Sequence, residues 1–183
     1  MIERYLAAFD ELNTLLAFRL SSTDKADKKR TETIIDDLLS FLILAYQAGI
    51  QDVSEMLKTD IKPEVSEMIE VIYQRIDGKD FSDRAKEHIE NDDDTALIEL
   101  AEDEYHRVYE SAKGKGAKSA GSTEKKWVTI GDDKVRDTHK YLEGMTVGID
   151  ERFYTYDGDS AMYPSGFSKA ENNCGCRCIA VYI

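Results

Sequence analysis

The segment from Ile34 to Tyr46 sets the strongest limit on how this chain folds. Ile34, Ile35, Leu38, Leu39, Phe41, Leu42, Ile43, Leu44 and Tyr46 wrap most of the circumference of a helix. A helix that is apolar nearly all round must be enclosed by other elements. It is therefore expected as a buried central helix, ending at Gly49. No stretch approaches the apolar length needed to span a bilayer. The opening Met1-Ile2-Glu3-Arg4 lacks the basic end and apolar run of a signal peptide. A soluble chain that starts in a reducing cytosol is expected.

The enclosing elements are also helical by period. Ile2, Tyr5, Leu6, Phe9, Leu12 and Leu16 form a one-sided stripe, and Ser21 to Asp24 offers stop and cap chemistry. Asp24 to Arg30 reads as the exposed first turns of the central helix. Asp52 to Lys58 reads as a short helix. Pro63 suits the first turn of the next, with Val65, Met68, Ile69, Ile72 and Ile76 as its stripe and Gly78 as its stop. Ser82 caps a polar helix through Ile89. Asp92 to Asp94 places negative charge at the start of a last long helix. That helix carries Leu97, Leu100, Ala101, Tyr105, Val108 and Ala112, and its charge run Glu102 to Arg107 reads as a solvated face.

After residue 112 the character changes. Lys113 to Thr123 (KGKGAKSAGST) has no large apolar residue and reads as a loop or linker. Beyond it Trp127 to Ile130, Met145 to Val147, Phe153 to Tyr156 and Cys176 to Ile183 look like strands. Asp132-Asp133 caps a short helix through Leu142, stopped at Gly144. The expected fold is α+β: a helical body over residues 1–112, a basic Gly/Ser/Lys linker over 113–124, and a small α+β unit over 125–183.

Charge narrows the function classes. With 24 Lys+Arg against 37 Asp+Glu the net charge is −13, the wrong sign for a sequence-independent nucleic-acid binder. Solubility or a basic protein partner suits it better. Local positive charge gathers at Lys113, Lys115, Lys118, Lys125 and Lys126, the candidate contacts for nucleic acid or phosphate.

Catalytic signatures are scarce. GxxxxGK[ST], GxSxG, HExxH and a helix-opening GxGxxG are all missing from the sequence. Asp133, Arg136, His139 and Lys140 sit three and four apart on one short helix, which brings an acid, a base and an imidazole together. An exposed helix held by an Asp–Arg pair accounts for the same spacing. The most specific local feature is Cys174, Cys176 and Cys178. If extended, alternation would put the three thiols on one face, and His139 could complete a four-donor zinc site. The C-x-C spacing is unusual for zinc, and Gly175 between the first two bends the chain. Packing of the small unit, with Trp127 as a buried anchor, ranks ahead of metal, and no cofactor is required.

Four separated motifs carry a family resemblance. Lys126-Trp127-Val128-Thr129, then Asp133-x-Val135-Arg136-x-x-His139-x-x-Leu142-x-Gly144, then Tyr163-Pro164-x-Gly166, then Cys176-Arg177-Cys178 resemble the C-terminal domain of the phage Mu F-like head morphogenesis family. The helix Asp103 to Tyr109 extends the likeness upstream, so that it covers roughly Glu102 to Cys178. Glu143 stands where the family commonly has Asp, and Gly175 where it commonly has Asn, with Cys174 added. The resemblance implies a non-enzymatic minor head (minor capsid) protein of a tailed bacteriophage, present in few copies at the portal vertex or head interior. It also implies assembly in the host cytoplasm. Its expected partners are the portal protein and the major capsid or scaffold protein, with weak contact to packaged DNA and none to membrane. Trp127, Asp133, Arg136, His139, Gly144, Pro164, Gly166 and Arg177 would be structural motif residues. Related domains in toxin-like fusions give the alternative, a small nuclease or ADP-ribosyltransferase using Arg136 and His139.

Overall fold

A computed structural model describes residues 2–22, 29–76 and 78–183, with side chains from residue 10 onward. Five helices come first: α1 (Ile2–Ser22), α2 (Arg30–Leu57), α3 (Val65–Ile72), α4 (Phe81–Glu90) and α5 (Asp94–Ser119). The rest is short: β1 (Glu124–Val128), α6 (Asp137–Lys140), β2 (Thr146–Gly148), β3 (Phe153–Tyr154), β4 (Ser160–Ala161), α7 (Ala170–Asn173) and β5 (Ile179–Tyr182). The α+β class with a helical body is as expected. Ile2, Tyr5, Leu6 and Phe9 of the expected α1 stripe lie outside the described side chains. Thr23 to Lys28, where a cap and the first turns of α2 are expected, lie outside the described residues.

The central helix is longer than expected. It does not end at Gly49 and restart at Asp52 but runs unbroken to Leu57, where Lys58 takes a left-handed conformation and caps it. By length and composition α2 is long and apolar enough to cross a bilayer, contrary to the sequence reading. Here it is the core helix, with Ile34, Leu38, Leu42, Ala45, Tyr46, Ile50 and Val53 buried. Gly49 marks the crossing with α5: a Cβ there would lie 2.4 Å from the Tyr109 carbonyl oxygen. Glycine serves close approach rather than termination. At its start Arg30 is buried, not exposed. Asp80, not Ser82, caps α4 by accepting from the Asp83 amide, and Asp93 caps α5 by accepting from the Ala96 amide.

The expected linker at 113–124 is overturned over most of its length. Helix α5 continues to Ser119, and Ser111 to Gly114, Gly116 and Ala117 are buried. The Gly-Lys-Gly composition has a packing cause. A Cβ on Gly114 would meet the Tyr163 ring at 1.9 Å, and one on Gly116 would meet Val53 Cγ1 at 2.8 Å. Tertiary contact holds helical a segment that propensity alone would not.

Beyond α5, β1 is the middle of a three-stranded antiparallel sheet ordered β2-β1-β5, and β3 pairs with β4. Trp127, Leu142, Phe153, Ala161, Phe167, Cys176 and Cys178 form a core of their own. Trp127 anchors that core rather than the helical body. The two parts join through Val53, Ala117, Ala180 and Tyr182, and through the polar face of α5.

Candidate functional site

The residues with most chemistry converge where α5, α6 and residues 174–180 meet. On α5 Asp103, His106, Glu110 and Lys113 recur at three- and four-residue steps on one face. They meet the chain end in order. Asp103 Oδ1 accepts from the Gly175 amide at 2.7 Å, and His106 Nε2 donates to the Cys178 carbonyl at 2.8 Å. Glu110 Oε2 accepts from the Ala180 amide at 2.9 Å, and Lys113 Nζ donates to the Ala180 carbonyl at 3.1 Å. Lys113 and Glu110 also pair at 2.7 Å, and both are buried. A second buried set faces the helical body. Arg107 donates to Glu104 at 2.8 Å and to the Val71 carbonyl at 3.0 Å, and Arg84 reaches Glu104 at 3.0 Å. The charge run read as a solvated face is therefore mostly interior, because each charge finds a partner.

The cysteines divide. All three are free thiols. Gly175, at φ 63°, turns the chain so that Cys174 is exposed beside Asp103 while Cys176 and Cys178 point inward. The expected four-donor set of His139, Cys174, Cys176 and Cys178 does not assemble. His139, Cys176 and Cys178 do, with their donor atoms all within 4.8 Å of one another and all three buried. His139 Nδ1 lies 3.4 Å from Cys178 Sγ and 3.7 Å from Cys176 Sγ. Phe167 stacks on the imidazole and Trp127 meets it edge-on, each at 5.3 Å between centroids. His106, which the sequence places on the helical half, also reaches the Cys176 sulfur.

The two buried thiols are shifted in opposite directions. The Cys176 thiol is held well below its usual range, first by the Cys178 thiol that donates to it. Burial opposes this, and His106 and His139 reinforce it. Cys178 is pushed up by the same sharing and by burial. Burial would lower the His106 pKa, but its bond to Cys176 and that sulfur's charge raise it. Burial pushes the Asp103 carboxyl up to about 6, against the opposing bonds from Gly175 and Cys174.

The other motif residues hold the unit's frame. Arg136 donates to the carbonyls of Glu171 and Cys174. Asp132, not the exposed Asp133, binds the local amide of Lys134 and pairs with both Arg177 nitrogens at 2.9 Å. Gly144, at φ 73°, closes the turn into β2, and Glu143, the departure from the family pattern, accepts from the Thr129 amide at 2.6 Å. Tyr163 to Gly166 form a tight turn whose Tyr163 ring covers Gly114, and Pro164 is buried beside it. Asp159, unnoticed in the sequence, is buried and accepts from the Ser168 and Lys169 amides, the Ser168 hydroxyl and Asn172.

The expected basic patch does not form. Lys113 and Lys125 are buried. Lys125 shares the inward face of β1 with Trp127, donates to the Ile149 carbonyl at 2.9 Å, and is lowered by burial to about 8. Lys115 pairs with Glu70 and Lys118 with Asp150. Of the five, Lys126 and Lys118 stay exposed. A pit of about 10 Å³ opens beside His139, Cys176 and Cys178, lined by Lys134, Arg136 and Arg177. It has room for about one water molecule. A cleft of about 200 Å³ lies between α3, α5 and the Tyr163 turn, lined by Glu70, Gln74, Lys115, Arg152 and Tyr163.

Comparison with known proteins puts this architecture in context. Residues 65–181 match the model of the family described as phage Mu protein F like protein. The match begins at α3, well upstream of the motifs. Over 86 residues the chain is 29% identical to the minor head protein GP7 of Bacillus phage SPP1, covering 45% of this chain and 28% of that protein. Over 75 residues it is 37% identical to the NAD(+)--arginine ADP-ribosyltransferase EFV of Enterococcus faecalis, covering 41% of this chain and 14% of that protein. The matched part thus spans under a third of either relative. No solved structure matches the chain.

Proposed function

We propose that this chain, which belongs to the family of phage Mu protein F like proteins, is a minor structural protein of a bacteriophage head that docks on the portal protein. The likeness to a minor head protein supports the head location. One observation carries the structural reading over the enzymatic one. Arg136 and His139, the side chains an acid–base or transferase site would use, are spent on backbone carbonyls and on a buried thiol cluster. The adjoining pit admits about one water molecule, too little for a nucleotide. The likeness to an ADP-ribosyltransferase covers 14% of that protein and is read as a shared non-catalytic module.

The docking surface is assigned to the helical body. Val65, Ile69 and Tyr73 follow one another at four-residue steps from the start of α3, and all three are more than half exposed. Such a stripe suits burial against a partner. Contact with packaged DNA is expected to be weak, since the net charge is −13 and four of the five candidate lysines are buried or paired with carboxylates, leaving Lys126.

Co-expression with the portal protein encoded in the same phage genome tests this. Ile69→Asp should reduce portal co-purification at least tenfold, while Tyr154→Asp on the C-terminal unit should leave it unchanged. The reverse pattern would overturn the assignment. Turnover of NAD by the purified chain, abolished in His139→Ala, would establish the enzymatic alternative instead.

A further inference from the structure

We propose that His139 Nδ1 and the sulfurs of Cys176 and Cys178 hold a zinc ion whose fourth position opens to solvent through the adjoining pit, with His106 as a positioning residue. Zinc takes sulfur at about 2.3 Å and imidazole nitrogen at about 2.0 Å in tetrahedral sites. Those lengths at a tetrahedral angle set ligand nitrogen and sulfur about 3.5 Å apart. The observed separations are 3.4 and 3.7 Å. Both nitrogen–sulfur separations already match the spacing the ion requires, and all three donor atoms lie within 4.8 Å of one another.

A second observation points to an occupant. His139 is buried, and its Nε2 has no hydrogen-bond partner among the described residues. Among the described residues its Nδ1 meets two sulfurs, which are weak partners for a neutral imidazole. A buried imidazole so placed is poorly satisfied until something stronger sits between Nδ1 and the thiols. A zinc ion does that, and two thiolates balance its charge in an interior where net charge is costly. The soft thiolate pair with one imidazole selects zinc over magnesium or calcium, which take oxygen ligands.

The surroundings suit such a site. Trp127 and Phe167 fix the plane of the His139 ring. His106 holds the Cys178 carbonyl and lies against the Cys176 sulfur, which orients both cysteines from α5. The pit lies directly beside the three donors and has room for one water. The site would tie three separate pieces together: α6, the turn at residues 174–178 and, through His106, the helical body. A unit with strands of two to five residues gains most from such a tie.

Metal analysis of the full chain tests this, with protein purified under reducing conditions without chelator. One zinc per chain is expected. Cys176→Ser, Cys178→Ser and His139→Gln should each fall below a tenth of an equivalent, and Cys174→Ser should keep one. His106→Gln should keep the metal but bind it about 10–100-fold more weakly in a chelator competition. Should a ligand variant fail to fold, the wild-type chain stripped of metal and titrated with Co(II) decides: a saturable thiolate-to-cobalt absorption at one equivalent supports the site. Protein without zinc and without that absorption overturns the proposal, as does metal lost in Cys174→Ser but kept in Cys178→Ser.

Discussion

At the residue scale, what could be read from the sequence depended on whether a side chain's partner was close in sequence. The inward position of Lys125 was legible: it stands two residues before Trp127 in a strand, and residues two apart share a face. Its positive charge led the reading outward instead. The burial of Glu110 and Lys113 was not legible, because the groups that satisfy them are backbone atoms of Ala180, some seventy positions away. His106 was missed as a neighbour of the cysteines for the same reason. Asp159 is the sharpest case, a loop carboxylate that organises the turn from Ser160 to Asn172. Burial opposes its ionisation, but bonds from Ser168, Asn172 and nearby amides hold its pKa at about 2, below its ordinary 3.8. The folded state therefore binds fewer protons than the unfolded chain between those values. Its contribution is complete above about pH 4 and is lost as pH falls toward 2. Asp159→Asn should lower stability at neutral pH by about 1–3 kcal/mol, because an amide cannot accept all of those donors. It should also flatten the acid limb of a plot of urea midpoint against pH. An unchanged acid limb would mean that Asp159 does not organise the loop.

At the element scale, helices came through as kinds and blurred at their ends. The all-round apolar run located α2 and its burial because that is a property of a single segment. Where α2 stops was misread because glycine has two uses, as a terminator and as a point of close approach. The choice at Gly49 is made by Tyr109 of another helix, whose carbonyl oxygen would lie 2.4 Å from an added Cβ. The same ambiguity turned Gly114 and Gly116 of α5 into a supposed linker. The short strands and α6 were recognisable from Trp127 and the Asp132 turn, whereas β4 and α7 carry no periodic signal in their two and four residues. Gly49→Ala separates the two uses of glycine. Helix propensity alone would stabilise the variant by about 1 kcal/mol. Forcing a methyl group against backbone costs more, typically 1–3 kcal/mol where a core is overpacked. The net expectation is a lower urea midpoint at unchanged slope. A raised midpoint would show that α2 and α5 do not approach as closely as described.

At the scale of the whole molecule, the boundary between the two compositional halves is not a structural joint. The composition shift near residue 113 is real, but it falls inside a helix whose far end is covered by the opposite half. Residues 175–180 lie along α5 and satisfy Asp103, His106, Glu110 and Lys113, so neither half keeps its buried polar groups paired without the other. Unfolding one while the other stays folded would strand those groups or hydrate a face of α5 that is now interior. One cooperative unfolding transition is therefore expected, and trypsin is a direct probe of this because the disputed segment is rich in lysine. A flexible linker at 113–124 would be cut first after Lys113, Lys115 or Lys118, releasing two stable fragments. In a continuous α5, Lys113 is buried between Glu110 and Ala180, and since both halves cover it, it can enter a protease only when the whole unit opens. Under native conditions cleavage after Lys113 should therefore occur only as fast as global unfolding, and should slow in step with any substitution that raises stability. Early scission at that bond, with a persistent fragment on each side, would return the segment to a linker and dissolve the polar face that joins the two halves.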